Sequence, residues 1–496
     1  MSLSMPRVLD PLTSDPLPGG RPPRPVGYLG DSILVRGRPG RDDRAAVAVL
    51  REAAAQLGWS VEPADPKSVV TERLRADERA SSVLEGAWVS DYRIRSADGP
   101  PPDAWSVLAL ARRLHPEAAT GLQLNHLLSL QPSYQGMPYY VSMPYYVSMP
   151  YYVSMPAASE YSSPGSGGRT PVSLVLPDPA LRARTLRRRP VVVVPDTALG
   201  SHPWFQDPTT ATGEVYAYGF RLGIGGDLPS AAPIPPANPL DGRVRSHAGH
   251  GTFIAGLIRQ LCPEARIEVI ALIDDAGTMP EAVLIQVLAL LLLRHLDAQA
   301  GGNVDELIDV ISLSLGYYHE DPDDAAEDAP LRRVLALLAG AGVAVVASAG
   351  NQATTDKLFP AAFAEQVSGL DPGRVPLVSV GALNPDGTVA YFSNAGQWVT
   401  CHRPGAALVS TVPDDLDGDL QPRARLAAVG EKRATIDPEN FTGGFASWSG
   451  TSFAAPVLAG QLAARIAQHR LAPLPEAKAC LARGWDAVTD ELGWVR

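Results

Sequence analysis

Cysteine is scarce in this chain, with Cys262, Cys401 and Cys480 the only ones in 496 residues. Scattered and odd in number, they build neither a disulfide framework nor a metal-ligand cluster, and they fit a reducing compartment. A basic excess is also missing. Net charge is −11 and the pI about 5.4, which gives no case for nucleic acid or a membrane surface as partner. The N-terminus, MSLSMPRVLDPLTSDPLPGG, has no apolar core after a basic start, so no secretory signal is read. The longest apolar run, AVLIQVLALLLL from Ala282 to Leu293, is broken by Gln286 and too short to span a bilayer. It reads as a buried helix. The expected location is cytoplasmic, with export by another route left open.

What is present is globular. Hydrophobic residues make up 45% and charged residues 19%, enough for a large core in two or three domains. Residues 1–25, rich in Pro, Gly and Ser, are expected to be disordered. Residues 26–133 alternate short β-type and helical runs. YLGDSILVRG, WSVEPAD, GAWVSDYRIRSA and LNHLLSL read as strands; DDRAAVAVLREAAAQLG and DAWSVLALARRLHP read as helices. The order βαββαβ predicts a small α+β, ferredoxin-like domain. Residues 134–171 hold three tandem copies of MPYYVS, read as a linker or as a tethered peptide or processing site.

From residue 172 to 496 the pattern changes. Near-continuous apolar strands (RRPVVVVPDTAL, ARIEVIALID, IDVISLSLG, GVAVVASAGN, VPLVSVGAL) alternate with helical runs. This predicts an α/β fold of three layers, a parallel sheet with helices on both faces. A site is then expected at the carboxyl ends of the strands. Four polar residues stand in suitable places. Asp196 follows VVVVP and is either a carboxylate that orients a histidine or a turn aspartate. His250 opens HGTFIAGLIRQL and is either a general base or a capping histidine. Asn351 ends GVAVVASAGN and is either an oxyanion donor or a turn residue. Ser452, in GTSFAAP, is either a nucleophile at a helix start or an N-cap.

The order Asp, His, Asn, Ser and the strings HGTFIAG (250–256), SLSLG (312–316), ASAGN (347–351) and GTSFAAPVLAG (450–460) resemble the subtilases, the subtilisin-like serine peptidases. The resemblance covers about residues 172 to 472. It implies Ser452 as nucleophile, His250 as base, Asp196 as orienting carboxylate, and Asn351 with the Ser452 N–H as oxyanion donors. It implies that Ser314, Leu315 and Gly316 pair with a polypeptide substrate. Ala347, Ser348, Ala349 and Gly350 would line the pocket for the side chain before the cut. No cofactor is required for such chemistry. The polar stretch at about 414–443, beginning DDLDGD, is a loop beside the site or a weak calcium loop, and no metal is assigned.

Asp196 sits in Pro-Asp-Thr-Ala where the family has Asp-Thr-Gly or Asp-Ser-Gly, which puts its placement in question. The leading α+β domain resembles a subtilase propeptide, which would make it an intramolecular chaperone or inhibitor with self-cleavage soon after Leu130 or within the repeats. An unrelated accessory domain is the alternative. A non-catalytic, peptide-binding subtilase fold is the rival to the enzyme. An α/β-hydrolase fails because Ser452 lacks G-x-S-x-G, and Gly223-Ile224-Gly225-Gly226 fails as a dinucleotide fingerprint.

Overall fold

The computed structural model describes residues 6–97, 99–130, 168–228, 235–273, 277–321, 329–366, 371–428, 430–468 and 475–494. The MPYYVS repeats lie outside the described residues.

The leading unit runs β1 (Gly27–Arg38), α1 (Arg44–Gln56), β2 (Ser60–Pro63), α2 (Val69–Ala76), α3 (Glu78–Val83), β3 (Trp88–Arg95), α4 (Ala104–Leu114) and β4 (Leu122–Leu130). Its antiparallel sheet has the order β4-β1-β3-β2. The Asp43 side chain accepts from the N–H groups of Ala45 and Ala46, which starts α1. Ala46, Val49, Leu50 and Ala53 then form one buried face at helical spacing, against Trp105 and Leu108 of α4.

Two features depart from expectation. Helices α2 and α3 interrupt the βαββαβ order between β2 and β3; their signals were the caps Ser68 and Asp77. Residues 6–25 are also not disordered as expected. Pro6–Val8 pairs with β1, and Leu9 and Leu17 are buried in the unit's core. Strand pairing, backbone bonds and two buried leucines together hold this Pro- and Gly-rich segment on the core.

The second part is α/β. Its main strands are β5 (Val191–Asp196), β6 (Arg266–Ala271), β8 (Val310–Leu313), β10 (Ala344–Ser348), β11 (Val378–Leu383) and β12 (Cys401–Pro404), with β7 (Thr278–Pro280) and β9 (Leu315–Tyr318) lying apart. The seven-stranded sheet runs β12-β11-β10-β8-β5-β6 and ends on Ala211–Thr212, with every pairing parallel. Helices α5 (His250–Leu261), α6 (Glu281–Gly301), α7 (Pro330–Gly340), α8 (Thr451–Gln468) and α9 (Ala477–Leu492) cover it.

Strand alternation decides which helix meets which side chain. Val191, Val193, Ile311 and Val345 pack with α6 and α7. Val192, Val194, Val310 and Val346 pack with α5 and α8. Gly460 lets α8 approach α5: a Cβ there would lie 2.9 Å from Leu261 Cβ. The apolar run from Ala282 to Leu293 is the buried body of α6. Among the described residues no helix is long and apolar enough to cross a membrane. Within the stretch at 414–443, Arg425–Ala428 and Glu431–Ala434 pair as a hairpin, and Leu416 and Phe441 are buried and backbone-bonded at its base.

The two parts share a sheet. The end of β4 lies between β7 and β9, antiparallel to both, with Ser129 opposite Thr278 and Gly316, and Leu130 opposite Leu315. Leu128 and Leu130 are buried there, each contributing about 1.5–3 kcal/mol of apolar burial.

Candidate active site

Three adjacent strands, β10, β8 and β5, deliver Asn351, Ser314 and Asp196 to one edge of the sheet. Two helix starts, those of α5 and α8, deliver His250 and Ser452 to the same edge. The parallel sheet forces this: every strand ends on the same side, so residues far apart in sequence meet.

His250 Nδ1 lies 2.8 Å from Asp196 Oδ1, and the Thr197 N–H donates to the same oxygen at 2.7 Å. Asp196 Oδ2 is buried without a hydrogen-bond partner among the described residues, so the imidazole is the carboxylate's one side-chain partner. Thr197 and Thr252 tie the two segments together. Gly251 N–H donates to Thr197 Oγ1, and Gly200 N–H to Thr252 Oγ1, both at 2.8 Å. Gly251 is needed for this approach, since a Cβ would lie 2.4 Å from the Thr197 carbonyl oxygen.

The doubt over Pro195 and Ala198 resolves locally. Pro195 lies past the last residue that β5 pairs with β8. Ala198 is not among the non-glycine residues with positive φ, which are Tyr218, Ala353 and Ala407. The turn after Asp196 therefore does not require glycine.

The His250 ring is walled by Trp448 (5.6 Å, edge-on) and Phe453 (5.1 Å), with Phe253 behind them. His247 lies 6.3 Å from His250; burial and then the His250 charge push its pKa down to about 3, so it stays neutral. Arg169 is fully buried over the Trp448 ring and donates to the carbonyls of Arg245 and Ala248, which pins the loop before His250. Neither Arg169 nor the two threonines stood out in the sequence. Arg169 has no local signal, because its partners are backbone carbonyls about eighty residues away.

Ser452 occupies the first turn of α8, where a backbone N–H has no helical partner. Pro456 lies four residues on and cannot donate to the Ser452 carbonyl. That carbonyl instead accepts from Ser314 Oγ at 2.7 Å, so the proline ties Ser452 to the end of β8. Ser452 Oγ donates to the Ser314 carbonyl at 3.3 Å and makes no hydrogen bond to His250 in this conformation. A hydroxyl moves between staggered rotamers, and such contacts commonly tighten only with substrate bound.

Asn351 Oδ1 accepts from both the N–H and the hydroxyl of Thr451, each at 2.8 Å. This fixes the carboxamide, with Nδ2 only 3.3 Å from where a Gly450 Cβ would stand. Thr451 is thus committed to Asn351 and to the Gly350 N–H rather than acting as a simple cap. Asn394, which the sequence did not flag, holds the loop after β10 by accepting from Gln352 and Thr354 N–H and donating to the Ala349 carbonyl.

Leu315 and Gly316 pair with β4, while Ser314 pairs with Ser452. Ala347 and Ser348 lie inside β10; they, Ala349 and Gly350 are buried. Among the described residues one group could converge on a metal: His126, His319 and Glu320. Both His126 nitrogens are already hydrogen-bonded to carboxylates, and His319 Nδ1 accepts from the Asp321 N–H.

A family model described as the subtilase family matches residues 188–481. The intracellular serine protease of Paenibacillus polymyxa is 28% identical over 235 residues, 44% of this chain and 54% of that protein. The major intracellular serine protease of Bacillus subtilis is 27% identical over 194 residues, 36% of this chain and 51% of that one. The chain thus spans about half the length of these curated relatives. Among solved structures, fervidolysin from Fervidobacterium pennivorans matches with TM-score 0.47 and 17% identity, over 90% of this chain and 56% of that one. A lanthipeptide protease matches with TM-score 0.39 and 21% identity, over 59% and 78%. With the family model matching more than half of its residues, the chain belongs to the subtilase family of serine peptidases.

Proposed function

We propose that the chain is a serine endopeptidase acting through Asp196, His250 and Ser452. The observation that carries this is the meeting of a carboxylate-held histidine, a serine at a helix start and an anchored asparagine at one sheet edge. His250 takes the Ser452 proton as Oγ attacks the scissile carbonyl of a polypeptide. Asp196 holds the ring and stabilises its charged form. The Ser452 N–H and Asn351 Nδ2 stabilise the oxyanion. His250 then protonates the leaving amine, and water repeats the steps on the acyl-enzyme.

The leading unit, ending at Leu130, acts in this reading as an intramolecular inhibitor. Two observations support it. Strand β4 pairs with Leu315 and Gly316, where an extended substrate would add. Ser452 is 1% exposed in the chain that holds β4 there. A serine-directed phosphonate tests the chemistry: the wild type should be labelled, and Ser452→Ala should not. Intact mass tests processing: a cut between residues 130 and 168 in wild type only would establish self-cleavage, and two whole chains would leave β4 as a lasting inhibitor.

A further inference from the structure

Strand β4 does more than block. His126, Leu128 and Leu130 alternate on one buried face of it, while Leu127 and Ser129 are half-buried. His126 is 1% exposed and lies between two glutamates of the second part. Its Nδ1 is 2.7 Å from Glu281 Oε2 and its Nε2 is 2.8 Å from Glu320 Oε2. Its ring stacks on Tyr317 with centroids 4.6 Å apart. Around it, Arg112 meets Glu320, Arg21 meets Asp321 and Arg24 meets Asp356. In these contacts every cation comes from the leading unit and every acid from the second part. The second part therefore presents a cation-seeking end beside its substrate-pairing strands.

Histidine does not satisfy that end completely. Glu281 Oε1 is buried without a cationic partner among the described residues, and the Tyr317 hydroxyl meets the same carboxylate. An imidazolium has two N–H donors, already spent on one oxygen of each glutamate. A guanidinium has five, in a fork that fits carboxylates bidentately and stacks on an aromatic ring.

We infer that Glu281, Glu320 and Tyr317 form a remote subsite for a cationic side chain, arginine foremost, four residues before the one in the place of Leu130. The inference rests on the reading that β4 lies along the substrate's path. A substrate pairing with β7 and β9 in the register of β4 would put leucine-like side chains at the places of Leu128 and Leu130. Its basic side chain would follow on the same face, because alternate residues of a strand point the same way.

The test uses the full-length chain, in which a peptide must displace β4, and two internally quenched peptides. Both carry leucine at the places of Leu128 and Leu130, and they differ only in Arg or Gln at the place of His126. The Arg peptide should be favoured in kcat/KM by about tenfold or more, chiefly through KM. The ratio should fall to within about twofold in the Glu281→Gln/Glu320→Gln chain, or decline clearly in Glu281→Gln alone if the double variant does not fold. Equal rates in wild type, or a preference that survives substitution, would overturn the subsite.

If neither peptide is cut, the phosphonate separates the readings: an unlabelled Ser452 means that the peptidase reading has failed, and a labelled one means that β4 still holds the cleft. The subsite is then read by fluorescence anisotropy, with the same peptides labelled and the His126→Gln chain as binder. Tighter binding of the Arg peptide by about tenfold would uphold it, and equal binding would overturn it.

Discussion

Two buried histidines, His250 and His126, are each held by carboxylate, and they differ in one respect. His250 is bonded through Nδ1 to Asp196, and its second nitrogen has no partner among the described residues. His126 is bonded through both nitrogens, to Glu281 and to Glu320. A one-sided bond leaves a nitrogen to exchange a proton with a substrate or a serine. A two-sided bond makes a fixed cation that joins two parts of the molecule. In the peptidase reading, the same residue type serves chemistry or cohesion according to how many of its nitrogens the fold occupies.

The comparison breaks most sharply at His250. In the peptidase reading, His250→Ala should lower kcat by about a million-fold, measured on a quenched peptide. Asp196→Asn should cost about 10,000-fold in kcat, because the carboxamide no longer fixes the ring's working tautomer.

At His126 the effects reverse. His126→Gln leaves Glu281 buried without its cation and Glu320 with Arg112 alone. It should destabilise the full chain by about 3–5 kcal/mol, read by denaturant unfolding, and should speed phosphonate labelling of Ser452.

The pH dependence sharpens the contrast. Burial alone would lower the His126 pKa, but the bonds to Glu281 and Glu320 outweigh it and raise it to about 9. Glu320 is correspondingly held well below the usual carboxylate range, its burial outweighed by the nearby His319, His126 and Arg112. His319 itself is pushed down by burial. Because the folded pKa of His126 lies above its unfolded value of about 6.5, its stabilisation is complete below that pH and is lost as pH rises through about 9. The melting-temperature gap between wild type and His126→Gln should therefore narrow between about pH 6.5 and about 9 and level off above that; a constant gap would show that the ring holds no proton there.

The smallest expected effect is at Ala198. Since its φ is not positive, Ala198→Gly should gain nothing and lose about 0.4–1 kcal/mol through added freedom of the unfolded chain, with peptide turnover unchanged.

The candidate residues were legible because they sit at element boundaries that leave local marks. Asp196 closes a run of valines, His250 opens an apolar helix, and Thr451–Pro456 combines a helix start with a proline whose position frees the Ser452 carbonyl. Arg169, Asn394 and the His126 cluster left no such mark. Each acts on backbone or side chains from distant segments, and a lone buried polar residue looks like any other in sequence. Helices α2 and α3 were missed because short helices carry little periodicity, and their caps, Ser68 and Asp77, are common in turns as well.

By itself the sequence determined the alternation of strand and helix, the four residues at strand and helix ends, and the family. Those depend on short-range pattern, with strand and helix periods fixed by backbone geometry. Only the tertiary structure decided the register in which β4 runs between β7 and β9, and that His126 would join Glu281 to Glu320. Those depend on register between chain segments more than a hundred residues apart, where a shift of one residue would turn His126, Leu128 and Leu130 away from the second part together.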